Sequence, residues 1–111
     1  MPVIKIFYAE TLDGTIRENQ EFIQEGLERM MREVLHANPA KCQIVLLSST
    51  FVSPLPVYVD MQFRATEYRQ SIVVEEAMDQ VVSVFRQVSP TGIRIRAFSI
   101  DQTTLYARDV E

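Results

Sequence analysis

Apolar and polar positions alternate almost from the start of the chain, and Pro2, Val3, Ile4, Lys5, Ile6, Phe7 and Tyr8 read as a strand. Asp13-Gly14 supplies a turn, after which Thr15 and Glu18 have the spacing of a capping box that opens a helix. Ile23, Leu27, Met30, Met31 and Val34 recur at helical spacing, while Glu21, Glu25, Glu28, Arg29, Arg32 and Glu33 take the other face. Asn38-Pro39 marks the end of this helix. Gly26 interrupts the pattern at a cost of about 1 kcal/mol against Ala, which is tolerable where backbone packs closely on a sheet. The unbroken apolar run Ile44-Val45-Leu46-Leu47 predicts a strand covered on both faces.

Ser48 to Pro56 reads as a loop from its Ser, Thr and Pro content. Val57, Val59, Met61 and Phe63 then alternate with Tyr58, Asp60, Gln62 and Arg64, the signature of a two-faced strand. A second helix carries Val74, Ala77, Met78, Val81, Phe85 and Val88 and closes at Ser89, Pro90 and Gly92. The last strand runs from Ile93 to Phe98. The order is βαββαβ, and the halves echo each other: Pro2-Val3 opens one and Pro56-Val57 the other, giving pseudo-repeats of about 2–50 and 56–108 in a single domain spanning 1–111. A strand, helix and strand in succession favour parallel pairing within each half. The predicted architecture is α+β, a four-stranded sheet with two helices on one face. The other face then needs a cover, and further subunits are the expected one.

A chain of 111 residues with 47% hydrophobic content can bury a core as one domain. Its formal charge of −4 argues against a nucleic-acid partner, which leaves a basic footprint. No apolar run approaches the roughly 20 residues of a membrane span, and no charged leader with an apolar stretch precedes the first strand. A soluble cytoplasmic protein is expected. The lone Cys42 has no disulfide partner and excludes a Cys-based zinc cluster, so it reads as a small buried apolar residue. His36 falls where the dipole of a helix end favours it, without a second ligand spaced to make a metal site. The five methionines lie mostly on core stripes, so no metal and no cofactor is expected.

The candidate chemistry starts at Pro2. If the initiator methionine is removed, a secondary amine becomes the first atom of a buried strand. An ordinary α-amino group has a pKa of about 7.7–8.0, and apolar surroundings disfavour its charged form, which leaves a neutral general base. Arg64 and Arg69 flank the start of the second helix, where cations are disfavoured by the dipole, so anion binding is a reading for either. Arg94 and Arg96 point to the same side of the last strand as Phe98, where they either pair with Asp60 across a subunit boundary or reach a carboxylate ligand. Tyr106 either closes a pocket or packs on a neighbour.

With Pro2 directly after the initiator and the βαββαβ order at this length, the chain resembles the tautomerase superfamily, in particular its two-unit members such as macrophage migration inhibitory factor and 5-carboxymethyl-2-hydroxymuconate isomerase. The ending Phe98-Ser99-Ile100-Asp101-Gln102-Thr103-Thr104-Leu105-Tyr106 also looks like a small, functionally uncharacterised branch of it. The resemblance implies a homotrimer without cofactor, a small carboxylate-bearing substrate, Pro2 as proton carrier, and Arg64, Arg69 and Arg96 as substrate-binding residues. The positions of the arginines in short 4-oxalocrotonate tautomerases fall near Thr11 or Leu12 and near Ile44. The lysine that the inhibitory-factor group carries after its first helix falls near Asn38, with Lys41 three residues on.

The leading expectation is a tautomerase or isomerase of a small keto or enol acid. Hydration, dehalogenation or decarboxylation is the nearest alternative, with Asp60 and Asp101 as candidate carboxylates for activating water. Two other classes fit the same letters: a ferredoxin-like dimeric barrel with antiparallel strand pairs, acting as a ligand-binding or monooxygenase-type protein, and a non-catalytic oligomer on the tautomerase fold.

Overall fold

The computed structural model describes residues 2–52 and 54–111. Strand β1 (Val3–Ala9) leads through a short 3-10 turn into helices α1 (Asp13–Glu18) and α2 (Gln20–Glu33), then β2 (Gln43–Ser49). The second half contains β3 (Val57–Arg64), α3 (Ser71–Arg86) and β4 (Ile93–Ile100). The sheet order is β2-β1-β3-β4. β1 pairs parallel with β2, β3 pairs parallel with β4, and the two halves join antiparallel through β1 and β3. This is the pairing that the strand-helix-strand repeat predicts. It removes the ferredoxin-like reading, which needs antiparallel pairs.

The alternation in β3 decides which face the helices cover. Val57, Val59, Met61 and Phe63 are buried while Tyr58, Asp60, Gln62 and Arg64 are only half-buried. Ile4 and Ile6 of β1 join the buried set, and Ile23, Leu27, Met30 and Met31 of α2 with Ala77, Val81, Val84 and Phe85 of α3 close over it. The opposite face carries Lys5, Phe7, Tyr58, Asp60, Arg94, Arg96 and Phe98, none of them buried. Removing the apolar stripes of α2 and α3 from water at roughly 25 cal/mol per Å² supplies the main driving force for this layer.

Local details depart from the sequence reading in four places. The first helical segment is broken: α1 begins at Asp13 without a side-chain cap, so Thr15 and Glu18 lie inside it rather than capping it. Asn19 ends it by donating Nδ2 to the Thr15 carbonyl at 2.8 Å. Gly26 packs on the other helix rather than on the sheet, since a Cβ there would sit 2.6 Å from Val84 Cγ2. β2 is an edge strand, so its run Ile44 to Leu47 is half-buried within one chain instead of covered on both faces. Finally, α2 stops at Glu33, before Asn38-Pro39. The chain reverses through His36, a non-glycine residue in the left-handed region at φ 51°. That conformation costs a side chain roughly 1–2 kcal/mol.

Candidate active site

The register collects the candidate residues at one end of the sheet. Because β1 and β3 run antiparallel with Val3 opposite Gln62, the start of β1 lies beside the end of β3. Pro2 therefore sits near Arg64. Because β1 and β2 are parallel with Val3 opposite Gln43, the turn before β2 reaches the same end. Pro2 is buried there, and its carbonyl accepts a hydrogen bond from the Gln43 amide at 3.1 Å.

A cavity of about 280 Å³ opens at this end, lined by Pro2, His36, Asn38, Lys41, Arg64 and Arg69 together with Ala37, Ala107 and Asp109. Three cationic side chains face one carboxylate, in a chain whose formal charge is −4. A cleft of one sign inside a body of the other focuses an anion towards it. The guanidinium of Arg64 has the most telling environment: its Nε is buried and has no hydrogen-bond partner. A buried donor left unpaired costs about 1–3 kcal/mol, and the Arg64 side chain lines both this cavity and the adjoining one.

Arg69 is committed differently. Its Nε donates to the Leu35 carbonyl and its Nη1 to the Arg64 carbonyl, both at 3.0 Å. These bonds tie the end of α2 to the end of β3 and so shape the cavity wall. Burial pulls this guanidinium below its ordinary range, and the nearby Arg64 adds to the pull. His36 stacks on Tyr68 with ring centroids 4.0 Å apart and planes 12° from parallel.

Arg96 is not among the residues lining this cavity within one chain. It lies exposed on the open sheet face, opposite Asp60 in the β3–β4 register. Its Nη1 donates to the Ile95 carbonyl at 2.8 Å, and Asp60 Oδ1 is buried without a partner. Neither Asp60 nor Asp101 lines the cavity. Asp101 instead caps the turn Gln102–Thr104, accepting from the Thr103 amide at 2.8 Å, and these bonds hold its carboxyl below the usual range. Tyr106 is 92% exposed and borders an adjoining cavity of about 270 Å³.

Lys41, His36 and Asp109 line the cavity although sequence reasoning did not assign them to the site; Lys41 entered only as a neighbour of the position that a family lysine takes. His36 was legible only as a helix-end histidine, and nothing in the spacing marks Asp109, which the C-terminal segment brings in. A larger cavity, about 620 Å³, lies against the edge strand between Tyr8, Ile16, Gln24, Cys42 and Leu46. It holds neither Pro2 nor the arginine pair of the smaller one. Burial pushes the Cys42 thiol up, and Cys42 Sγ is within 3.3 Å of the Asn38 carbonyl, the environment of an inert side chain rather than a nucleophile. Among the described residues no cluster of His, Cys, Asp and Glu could hold a metal ion, and no helix is long and apolar enough to cross a membrane.

A mixed four-stranded sheet of two parallel strand-helix-strand units, with a cationic pocket at the start of its first strand, defines the class. No protein-family model matches the sequence, and no curated protein matches it. Solved structures do. A domain of unknown function, DUF1904, from Sebaldella termitidis aligns at TM-score 0.72 and 12% identity, over 99% of this chain and 98% of that one. A macrophage migration inhibitory factor-like protein from Entamoeba histolytica aligns at TM-score 0.69 and 13% identity, over 96% and 95%. The Q0 fused 4-OT wild type symmetric trimer aligns at TM-score 0.75 and 9% identity, over 95% and 90%. The chain has the tautomerase fold.

Proposed function

We propose that this chain is a cofactor-independent tautomerase or isomerase of a small keto or enol carboxylic acid. Pro2, freed by removal of Met1, moves the proton, and Arg64 receives the carboxylate with Lys41 and Arg69 beside it. The observation that carries this reading is that Pro2, Lys41, Arg64 and Arg69 line one cavity. A guanidinium is suited to a carboxylate because its planar fork can donate two parallel hydrogen bonds. The amine supplies general acid–base chemistry without help from a metal. Arg96 joins this site only if assembly brings it to a neighbouring pocket, and within one chain it belongs to the open face.

The test is kinetic. Protein beginning at Pro2, verified by intact mass, should ketonise 2-hydroxymuconate or an arylpyruvate enol, and Arg64→Ala should raise KM roughly tenfold with a smaller change in kcat, because binding shared by ground and transition states is what is lost. An unchanged KM would take the carboxylate away from Arg64 and leave Pro2 in play.

The open sheet face supports a homotrimeric reading. It exposes Phe98 at 48%, apolar surface that a neighbouring subunit would cover. Sedimentation at micromolar concentration should give three times the chain mass. A monomer would reject this assembly.

A further inference from the structure

Of the groups lining the Pro2 cavity, His36 is the one that neither the carboxylate site nor the proton-carrying amine uses. An imidazole can both accept and donate a proton. The residue is exposed and lines the cavity, and two features constrain it. Its backbone adopts φ 51°, where glycine is the natural residue, so the chain retains a side chain at a position that favours having none. Its ring also stacks on Tyr68 at 4.0 Å, which holds the imidazole in one plane. Backbone held in a sparsely populated region is found disproportionately at functional sites.

We propose that His36 is a second proton carrier in this pocket, working on the substrate oxygen while Pro2 works on carbon; the inference rests on the tautomerase reading above. In the enolisation direction, the Pro2 nitrogen takes a proton from the carbon beside the carbonyl. The C–H electron pair becomes the C=C bond, the carbonyl π pair moves onto oxygen, and that oxygen takes a proton from the His36 imidazolium. Prolinium and neutral imidazole remain, and one proton passed between them through water restores both. Ketonisation is the reverse. The carboxylate held by Arg64 fixes which end of the substrate faces each carrier.

The charged groups that line the cavity with His36 are Lys41 from the turn before β2, Arg64 and Arg69 from the end of β3 and the loop after it, and Asp109 from the C-terminal segment, while Tyr68, outside that lining, stacks on its ring.

His36→Gly is the informative variant, because it suits the left-handed backbone while removing the imidazole. It should lower kcat about a hundredfold, change KM by less than about threefold, remove one limb of the pH–rate profile, and regain activity with added free imidazole. His36→Asn, which also tolerates φ above zero, should show the same loss without rescue of the profile. If the native processed protein is active and both variants keep its kcat and its pH profile, His36 is not a proton carrier and Pro2 works alone. If the native processed protein is inactive on keto and enol acids, the tautomerase reading itself fails and this proposal falls with it.

Discussion

Protein that retains Met1 should tautomerise an enol acid at least a hundredfold more slowly than protein that begins at Pro2, within the 10²–10⁴-fold that a positioned acid–base group contributes, roughly. In the retained form the Pro2 nitrogen is an amide whose lone pair is delocalised into the carbonyl. It can neither accept a proton at neutral pH nor deliver one. In the processed form it is a secondary amine at a buried position beside Lys41, Arg64 and Arg69. Burial and like charge both penalise an ammonium there, which favours the neutral base. As pH increases through the amine pKa, kcat/KM should therefore rise. Pro2→Ala should lose less than the Met1-retaining form, because a primary amine remains at the same place. Equal rates for processed, unprocessed and Pro2→Ala protein, each checked by intact mass, would remove proline catalysis and favour the non-catalytic reading.

The ladder of apolar positions made the fold legible because each signal was local. Val57, Val59, Met61 and Phe63 alternate in sequence and are buried together in β3, and Ile23, Leu27, Met30 and Met31 are the buried stripe of α2. What the pattern did not reveal was competition among local polar groups. Thr15 and Glu18 have capping-box spacing, but a helix entered from the preceding 3-10 turn starts at Asp13 and absorbs them. Asn19 then breaks the helix with a side-chain bond whose existence depends on rotamer, not spacing. Likewise the apolar run of β2 looked doubly covered because composition cannot distinguish a central strand from an edge strand that awaits a partner.

The candidate site was half legible for the same reason. Pro2 and the two arginines stand out by residue type, and antiparallel pairing of β1 with β3 carries Pro2 to the end of β3 where Arg64 lies. Topology alone gives that much. Arg96 is different: the alternation Arg94, Arg96, Phe98 gave its face, and the structure keeps it there, away from the Pro2 cavity. Asp109 and His36 enter through a terminal segment and a left-handed reversal, features that depend on tertiary contacts and on one backbone angle.

Arg69 shows how a residue chosen for ligand chemistry can first be a clamp. Its two hydrogen bonds reach the Leu35 carbonyl beyond the end of α2 and the Arg64 carbonyl that ends β3. The first satisfies a carbonyl near a helix C-terminus, where a cation is also favoured by the dipole. Hydrogen bonds to charged groups contribute roughly 1.5–3 kcal/mol each, and the site is partly open to solvent, so the lower end applies. Arg69→Met keeps the aliphatic stem and removes both bonds, and it should destabilise the fold by about 2–3 kcal/mol. At a few degrees per kcal/mol for a domain of this size, Tm should fall by roughly 10 °C at fixed protein concentration. Arg69→Lys should fall between, since an ammonium on a flexible stem does not reproduce the fork that reaches two carbonyls. The carbonyls sit on the two elements that carry His36 and Arg64, so loosening them should also raise KM. A Tm unchanged in Arg69→Met would mean that the clamp contributes nothing, and Arg69 would then be free to act as a ligand for the substrate carboxylate alone.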